Sequence, residues 1–373
     1  MWWKSSLGVC AVVVLGCMTL AGVQRAAASD PGALPAPSLA NTASRPHLDA
    51  ATTAPVQLGV PHPGPAPLLL STTELVVPSD LRLMIFAPHP DDETLGAGGL
   101  VQRVLARGGT VRVVFVTNGD AYVDGVRRAV QRAQTSTADF IEYGKRRHDE
   151  AARALSHLGL TPADAVFLGF PDDGIDDLWA GHWSVRRPYT SPYTRFDRPP
   201  YQDSLRRDVE YAGADLQGEI TATLRRFKPD WILMPDPRDR HPDHCTTGVF
   251  VLDALRKLRQ EGDGPFAQTT VLTYLVHYPD YPATPRWMRE IEGAGVGGSP
   301  TAGRALSATR WLSFPLNASE LAGKSQAIAE YQSQVQVMNP FLKQFLGAYE
   351  LFGRLDAAQV ASVPAEYAAR FRR

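Results

Sequence analysis

Leu81-Arg82-Leu83-Met84-Ile85-Phe86-Ala87-Pro88-His89-Pro90-Asp91-Asp92-Glu93-Thr94-Leu95-Gly96-Ala97-Gly98-Gly99-Leu100 sets the architecture expected of this chain. The apolar run Leu83 to Ala87 reads as a buried strand. Pro88-His89-Pro90 cannot continue a ladder and forces a turn. Asp91, Asp92 and Glu93 follow at once, and then a small-residue run and an apolar segment of helical spacing, Leu100 to Leu105. Three acids packed this close beside a histidine repel one another unless a cation sits among them. In open α/β sheets ligands bind at the carboxyl ends of strands. The cluster therefore reads as a metal and catalytic site.

Outward from this stretch, further strands are expected at Thr110–Val116, Ala165–Phe170 and Trp231–Met234, with helices at Phe140–Leu158, Asp208–Phe227 and Thr247–Leu258. Ile141, Ala151, Ala154, Leu155 and Leu158 form an apolar stripe on the first of these helices, which Gly159 stops. Strands alternating with helices predict an α/β fold, a Rossmann-like three-layer sandwich with a mostly parallel sheet covered on both faces. The metal site falls at the carboxyl ends of its strands. Several strands end in polar turns, Thr117-Asn118-Gly119-Asp120 and Pro171-Asp172-Asp173-Gly174 among them. The irregular stretch 175–202 carries Trp179, Trp183, Tyr189 and Tyr193, which either stack on sugar rings or anchor the loop.

The fourth strand leads into Pro235-Asp236-Pro237-Arg238-Asp239-Arg240-His241-Pro242-Asp243-His244. Two histidines three apart beside acids suit zinc, which takes imidazole and carboxylate ligands. His89, one acid of the first turn and one histidine of the second make three protein ligands and leave a position open for water, as a catalytic zinc requires. Zinc lowers the pKa of that water to ~7 and polarises a carbonyl. A spare carboxylate can carry the water's proton to a leaving amine, and a spare histidine can stabilise an oxyanion. The inventory fits metal-assisted hydrolysis of an amide.

The pair His-Pro-Asp-Asp-Glu (89–93) and His-Pro-Asp-His (241–244) resembles the LmbE-like, or PIG-L, family of zinc-dependent N-deacetylases. Arg146-Arg147 with Glu150-Ala151-Ala152 and Leu158-Gly159, and then Phe167-Leu168-Gly169-Phe170-Pro171-Asp172-Asp173-Gly174, resemble the family's second block. Lys324 to Gln334, ending Tyr331-Gln332-Ser333-Gln334, resembles its C-terminal helix. The similarity spans roughly Leu81 to Gln344. It implies one zinc per chain, with other divalent metals as alternatives, held by His89, Asp92 and His244. It implies Asp91 as the general base, His241 as the group that stabilises the tetrahedral intermediate or protonates the amine, and Asp243 as its electrostatic partner. Where some members carry a tyrosine two residues before the first histidine of the second motif, this chain carries Asp239. Arg147 either contacts substrate or pairs with Glu150 along the helix. His277, after a further apolar strand, either contacts substrate or is a core histidine. Glu93 either takes part in the site or only bonds within the turn.

The resemblance implies a hydrolase that removes acetyl from an N-acetylglucosamine-type sugar. Another zinc amidohydrolase, a metallophosphoesterase and a catalytically silent glycan-binding module are the alternatives. The expected partner is an N-acetylated sugar or glycan. With a formal net charge of -1, no extended basic face for nucleic acid is expected.

Met1-Trp2-Trp3-Lys4, the apolar run Leu7 to Val23 and the small residues Ala26-Ala27-Ala28 have the three-part pattern of a signal peptide. Export to the periplasm, cell surface or medium is expected, with membrane proximity through the leader. Lipid attachment at Cys17 fits less well, because the apolar run continues past it. Residues 29–73, rich in Pro, Ala, Ser and Thr, read as a linker, and His47 and His62 within it as solvated. The deacetylase domain is expected over 74–350, with 351–373 as a C-terminal tail. Cys10 and Cys17 fall in the leader, which leaves Cys245, read as a buried apolar residue, and no internal disulfide in the processed chain.

Overall fold

The run Leu83–Ala87 is buried on both sides of a sheet, and this explains its uninterrupted apolar character. Leu83, Ile85 and Ala87 enter one hydrophobic core, and Met84 and Phe86 enter the other. In a computed structural model of the protein, residues 73–278, 281–282 and 309–369 are described. The expected leader (1–28), nearly all of the linker, and Cys10, Cys17, His47 and His62 lie outside these residues.

Eight strands among the described residues form one sheet, in the order β1-β7-β8-β6-β5-β2-β3-β4. They are β1 (Thr73–Glu74), β2 (Arg82–Ala87), β3 (Thr110–Thr117), β4 (Ala165–Phe170), β5 (Trp231–Pro235), β6 (Thr270–Tyr274), β7 (Arg310–Pro315) and β8 (Tyr349–Leu355). Strands β4, β3, β2, β5 and β6 run parallel, and β8 runs antiparallel to both β6 and β7. The mostly parallel α/β architecture expected from the sequence is what the chain adopts. One core, on one face of the sheet, takes side chains from α1 (Asp92–Ala106), α3 (Thr137–His157) and α7 (Ala318–Glu330). The other takes them from α4 (Ile175–Ala180), α5 (Gly213–Phe227), α6 (Pro242–Gln260) and α9 (Ala357–Ala369). The helices α2 (Val123–Val130) and α8 (Gln332–Lys343) lie near the carboxyl ends of the strands.

β2 has β3 on one side and β5 on the other. The chain steps outward from β2 through β3 and β4 and then returns to the opposite side. That reversal is a topological switch point, where a crevice opens beyond the strand ends. The turns after β2, β3, β4 and β5 all face it.

Two helices begin earlier than their apolar spacing indicates. α1 starts at Asp92, with Asp92 and Glu93 in its first turn, where the helix dipole favours acids. α6 starts at Pro242, a proline in the first helical turn with His241 as N-cap. α5 starts later than expected, at Gly213, after Ala212 in an extended conformation. Cys245 is buried and free, as expected.

Residues 351–369 are not a tail. β8 lies between β6 and β7 within the sheet, and α9 packs on α6 through Val360, Val363 and Tyr367. The boundary placed at 350 cuts this strand. A chain ending at Glu350 loses most of β8 and with it the pairing of both neighbours, so it is expected to show no cooperative thermal unfolding by circular dichroism, where the full chain does.

Candidate metal and catalytic site

Pro88 and Pro90 hold His89 in a tight turn at the end of β2, and the Thr117 N–H and hydroxyl anchor that turn on the Pro88 carbonyl (3.0 and 2.9 Å). The first turn of α1 supplies Asp92, and the first turn of α6 supplies His244. Their ligand atoms form a near-equilateral triangle: His89 Nδ1 to Asp92 Oδ2 3.2 Å, His244 Nε2 to Asp92 Oδ2 3.2 Å, and His89 Nδ1 to His244 Nε2 3.3 Å. Three ligands about 2.0–2.1 Å from a tetrahedral zinc stand roughly 3.3 Å apart. Two imidazole nitrogens this close, with a carboxylate oxygen equidistant, are an arrangement that a shared cation satisfies. The donor set fits a divalent ion of borderline softness.

The outer ring nitrogen of each histidine faces carboxylates. His89 Nε2 lies 3.0 Å from Asp172 Oδ1 and 3.3 Å from Asp243 Oδ2, and His244 Nδ1 lies 3.4 Å from Asp239 Oδ2. Burial alone would lower both histidines. The acids prevail, through Asp172, Asp243 and Asp92 for His89 and through Asp92 and Asp239 for His244, which is pushed up to about 9. Burial opposes ionisation of Asp92 as well, but His244 and His89 hold it well below the usual carboxylate range. The pocket demands positive charge at its centre.

Asp172 and Asp239, which the motif spacing did not single out, stand behind the two histidines. Asp172 comes from the turn after β4. Asp239 comes from the turn after β5, and its Oδ2 accepts from the Val276 and His277 N–H groups (both 2.9 Å) while Oδ1 accepts from the His241 N–H (3.0 Å). It ties the β5 and β6 turns together beneath His244. An acid in every polar strand-end turn was the available signal.

Asp91 precedes α1 as its N-cap, at φ 131°, a left-handed backbone that costs a non-glycine residue on the order of 1–3 kcal/mol. Its carboxylate makes no cap hydrogen bond. It turns to Arg147 instead, at 3.3 Å, and lines the cleft. Burial, with Asp92 and Glu93 nearby, lifts it to about 8 against the pull of Arg147 and His89.

Arg147 does not pair with Glu150. Its guanidinium donates to the Pro90 and Gly119 carbonyls (2.6 and 3.0 Å) and to Asp91, while Glu150 accepts from Arg146 and Ser333.

His241 accepts the Asp243 N–H at Nδ1 (3.2 Å), so its neutral ring carries the proton on Nε2. Burial, with His89 and His244 nearby, holds it down to about 3. The carboxylate of Asp243 makes no hydrogen bond to His241, but its charge opposes that lowering, as expected of an electrostatic partner. It accepts from the Asp173 and Ile175 N–H groups (2.7 and 3.0 Å) and meets His89. Asp243 also acts on His241 through its backbone N–H and docks the β4 turn on α6. His277 lines the cleft and stacks on Phe341 (5.4 Å, 7°). Glu93 is fully buried beneath the turn. A cleft of about 280 Å³ opens over these groups, with Leu95, Tyr122, Val276, Gln334, Met338 and Phe341 on its walls.

Fold and site together define an α/β protein with a His–His–Asp group that could hold a metal ion at the switch point of its sheet. Residues 84–255 match the PIG-L family, described as GlcNAc-PI de-N-acetylase. It is similar to 1D-myo-inositol 2-acetamido-2-deoxy-alpha-D-glucopyranoside deacetylases: 32% identical over 168 residues to that of Mycobacterium sp. (strain KMS), covering 44% of this chain and 47% of the relative, and 35% identical over 195 residues to that of Salinispora arenicola (strain CNS-205), covering 52% and 56%. The chain thus spans about half the length of the curated relatives it matches. Among solved structures it is similar to a deacetylase of the teicoplanin biosynthesis pathway, at 17% identity and a TM-score of 0.47, covering 74% of this chain and 99% of that one.

Carboxylates behind metal-bound histidines raise ligand basicity and fix ring orientation, and their loss weakens metal binding about 10–100-fold. Asp239→Ala and Asp172→Ala are each expected to show a loss of this size in chelator-competition titration with zinc, with unchanged circular dichroism.

Proposed function

We propose that this protein is a zinc-dependent N-deacetylase that hydrolyses the acetamido group of an N-acetylglucosamine-type sugar. The observation that carries this reading is the His89–Asp92–His244 triangle, with Asp91 and His241, two groups that mere metal binding does not need, lining the same cleft. Similarity to sugar deacetylases over about half their length supports the substrate class.

His89, Asp92 and His244 would hold the ion. Bound there, zinc supplies Lewis-acid polarisation of the amide carbonyl and acidifies water. The chain's own groups do the rest. Asp91, lifted towards neutrality by burial, takes a proton from the attacking water and returns it to the departing sugar nitrogen. Arg147 keeps that carboxyl on the cleft and limits the lift. His241, neutral and carrying its proton on Nε2, offers a hydrogen bond to the oxyanion that develops on the carbonyl oxygen. Asp239 and Asp243 fix its orientation through the two backbone bonds described above. The products are acetate and a free amino sugar.

A second grouping, His89 with His241 and Asp243, also has metal-ligand spacing. It shares His89 with the first, and Asp243 is engaged by two backbone N–H groups, so it does not favour a two-metal phosphoesterase.

The leader pattern makes an envelope or extracellular glycan or glycolipid the favoured setting for the substrate. Fractionation of the producing cells is expected to place the protein outside the cytoplasm, and a wholly cytoplasmic pool would remove that part of the proposal.

The chain from Ser29 onward, stripped of metal and given one equivalent of zinc, is expected to release acetate from N-acetylglucosamine oligomers. Asp91→Asn should lower kcat by about 10²–10⁴-fold with zinc still bound at one per chain. Oligomer binding without release, in the zinc-loaded wild type, would identify a binding module instead.

A further inference from the structure

Groups to which the proposed reaction gives no role hold Asp91 in place. An aspartate at a helix N-cap ordinarily turns its carboxylate onto the N–H groups of the first turn. Here the backbone at φ 131° carries the side chain away from them, and Thr94 and Leu95 donate to the Asp91 carbonyl instead (3.0 and 2.9 Å). Glu93, the second residue of α1, reaches back to the cap residue. Its Oε2 accepts from the Asp91 N–H at 3.2 Å.

Glu93 is fully buried, and its other oxygen accepts from two hydroxyls, Thr94 Oγ1 at 2.5 Å and that of Tyr331. Tyr331 stands at the junction of α7 and α8, fully buried and distant in sequence.

The far end of the same turn is also closed from the C-terminal part of the chain. α1 breaks at Ala97 (φ -150°, ψ 16°), which interrupts its hydrogen-bond ladder. Glu350 of β8 accepts from the Gly99 and Leu100 N–H groups (2.8 and 2.9 Å), and Lys324 of α7 donates to the Leu95 carbonyl and to Glu350 (both 2.8 Å). Residues 91–96 are therefore a separate turn, clasped at one end by Tyr331 through Glu93 and at the other by the buried Lys324–Glu350 pair.

We propose that Tyr331 and Glu93 are positioning residues for Asp91. The chain of bonds from the Tyr331 hydroxyl through the Glu93 carboxylate to the Asp91 N–H holds the Asp91 backbone in the left-handed region, so that its carboxyl lies on the cleft beside Arg147 rather than on the end of α1. Lys324 and Glu350 fix where that turn ends. The inference rests on Asp91 being the base of the proposed deacetylation.

The test compares zinc-loaded wild type with Tyr331→Phe, Glu93→Ala and Glu93→Gln, reading kcat, KM, zinc affinity and melting temperature. Tyr331→Phe should lower kcat at least ~10-fold while KM and zinc affinity stay within about 3-fold, the pattern of an interaction that matters only in the transition state. Glu93→Ala should do the same more severely. Glu93→Gln, which keeps an acceptor for the Asp91 N–H, should recover most of the loss. An unchanged kcat in Tyr331→Phe, or a kcat that falls only in proportion to zinc lost, would overturn the proposal. If the wild type releases no acetate from any substrate, the deacetylase reading fails separately. Crystal structures of wild type and Tyr331→Phe then decide the positioning role. Asp91 is expected to leave positive φ in the variant and turn its carboxyl to the Thr94 N–H, and an unmoved Asp91 would overturn it.

Discussion

Negative charge buried at one end of the sheet is the constraint on which the rest of the structure depends. Asp91, Asp92, Asp172, Asp239 and Asp243 all lie within a single shell around two histidines, and none is more than slightly exposed. Carboxylates in such surroundings must be neutralised or paired, because the cost of an isolated buried charge exceeds what packing can offset. The protein meets this demand with distinct partners. Arg147 faces Asp91, backbone N–H groups face Asp239 and Asp243, and the imidazoles of His89 and His244 face Asp92, Asp172 and Asp239. One place is left where two imidazole nitrogens and a carboxylate oxygen converge at 3.2–3.3 Å from one another, the spacing of ligands around a single ion. A divalent cation at that place would complete the balance.

The same constraint accounts for the division of labour between two adjacent aspartates. Asp92 lies in the first helical turn and points at both histidines, so it stays ionised. Asp91 has the histidines further off and a strained backbone, and burial raises it into the range where a carboxyl exchanges protons near neutrality. Their difference comes from one backbone dihedral and its supports rather than from composition. Those supports come mainly from α7, α8 and β8, far along the chain, so the C-terminal elements are part of the same folded unit as the site.

Much of the site was legible in the order of residues. A strand ending in Pro-His-Pro followed by acids, and another ending in a His-Pro-Asp-His turn, can be read from polarity and turn chemistry alone, since proline ends a ladder and like charges need a counter-ion. The parallel core strands were legible for a similar reason, because a strand buried on both faces has no polar alternation to confuse it. The first turns of α1 and α6 were less so. Both begin in acid- and histidine-rich segments whose helical state is favoured by the dipole and by proline in the first turn, and apolar spacing does not register either effect. β8 escaped because Glu350 interrupts its apolar run, and Glu350 is buried only because Lys324 and two backbone N–H groups reach it.

By itself, then, the sequence determined the residue types of the metal centre, the strand ends that carry them and the α/β class, since these follow from local polarity, turn geometry and periodicity. Tertiary structure alone decided which acids stand behind which histidines, that Asp243 spends its carboxylate on a neighbouring loop, that Arg147 faces Asp91 and not Glu150, and that Tyr331 reaches Glu93. These are contacts between residues far apart in the chain. Their partners are chosen by how strands order themselves in the sheet, and no local pattern encodes that order.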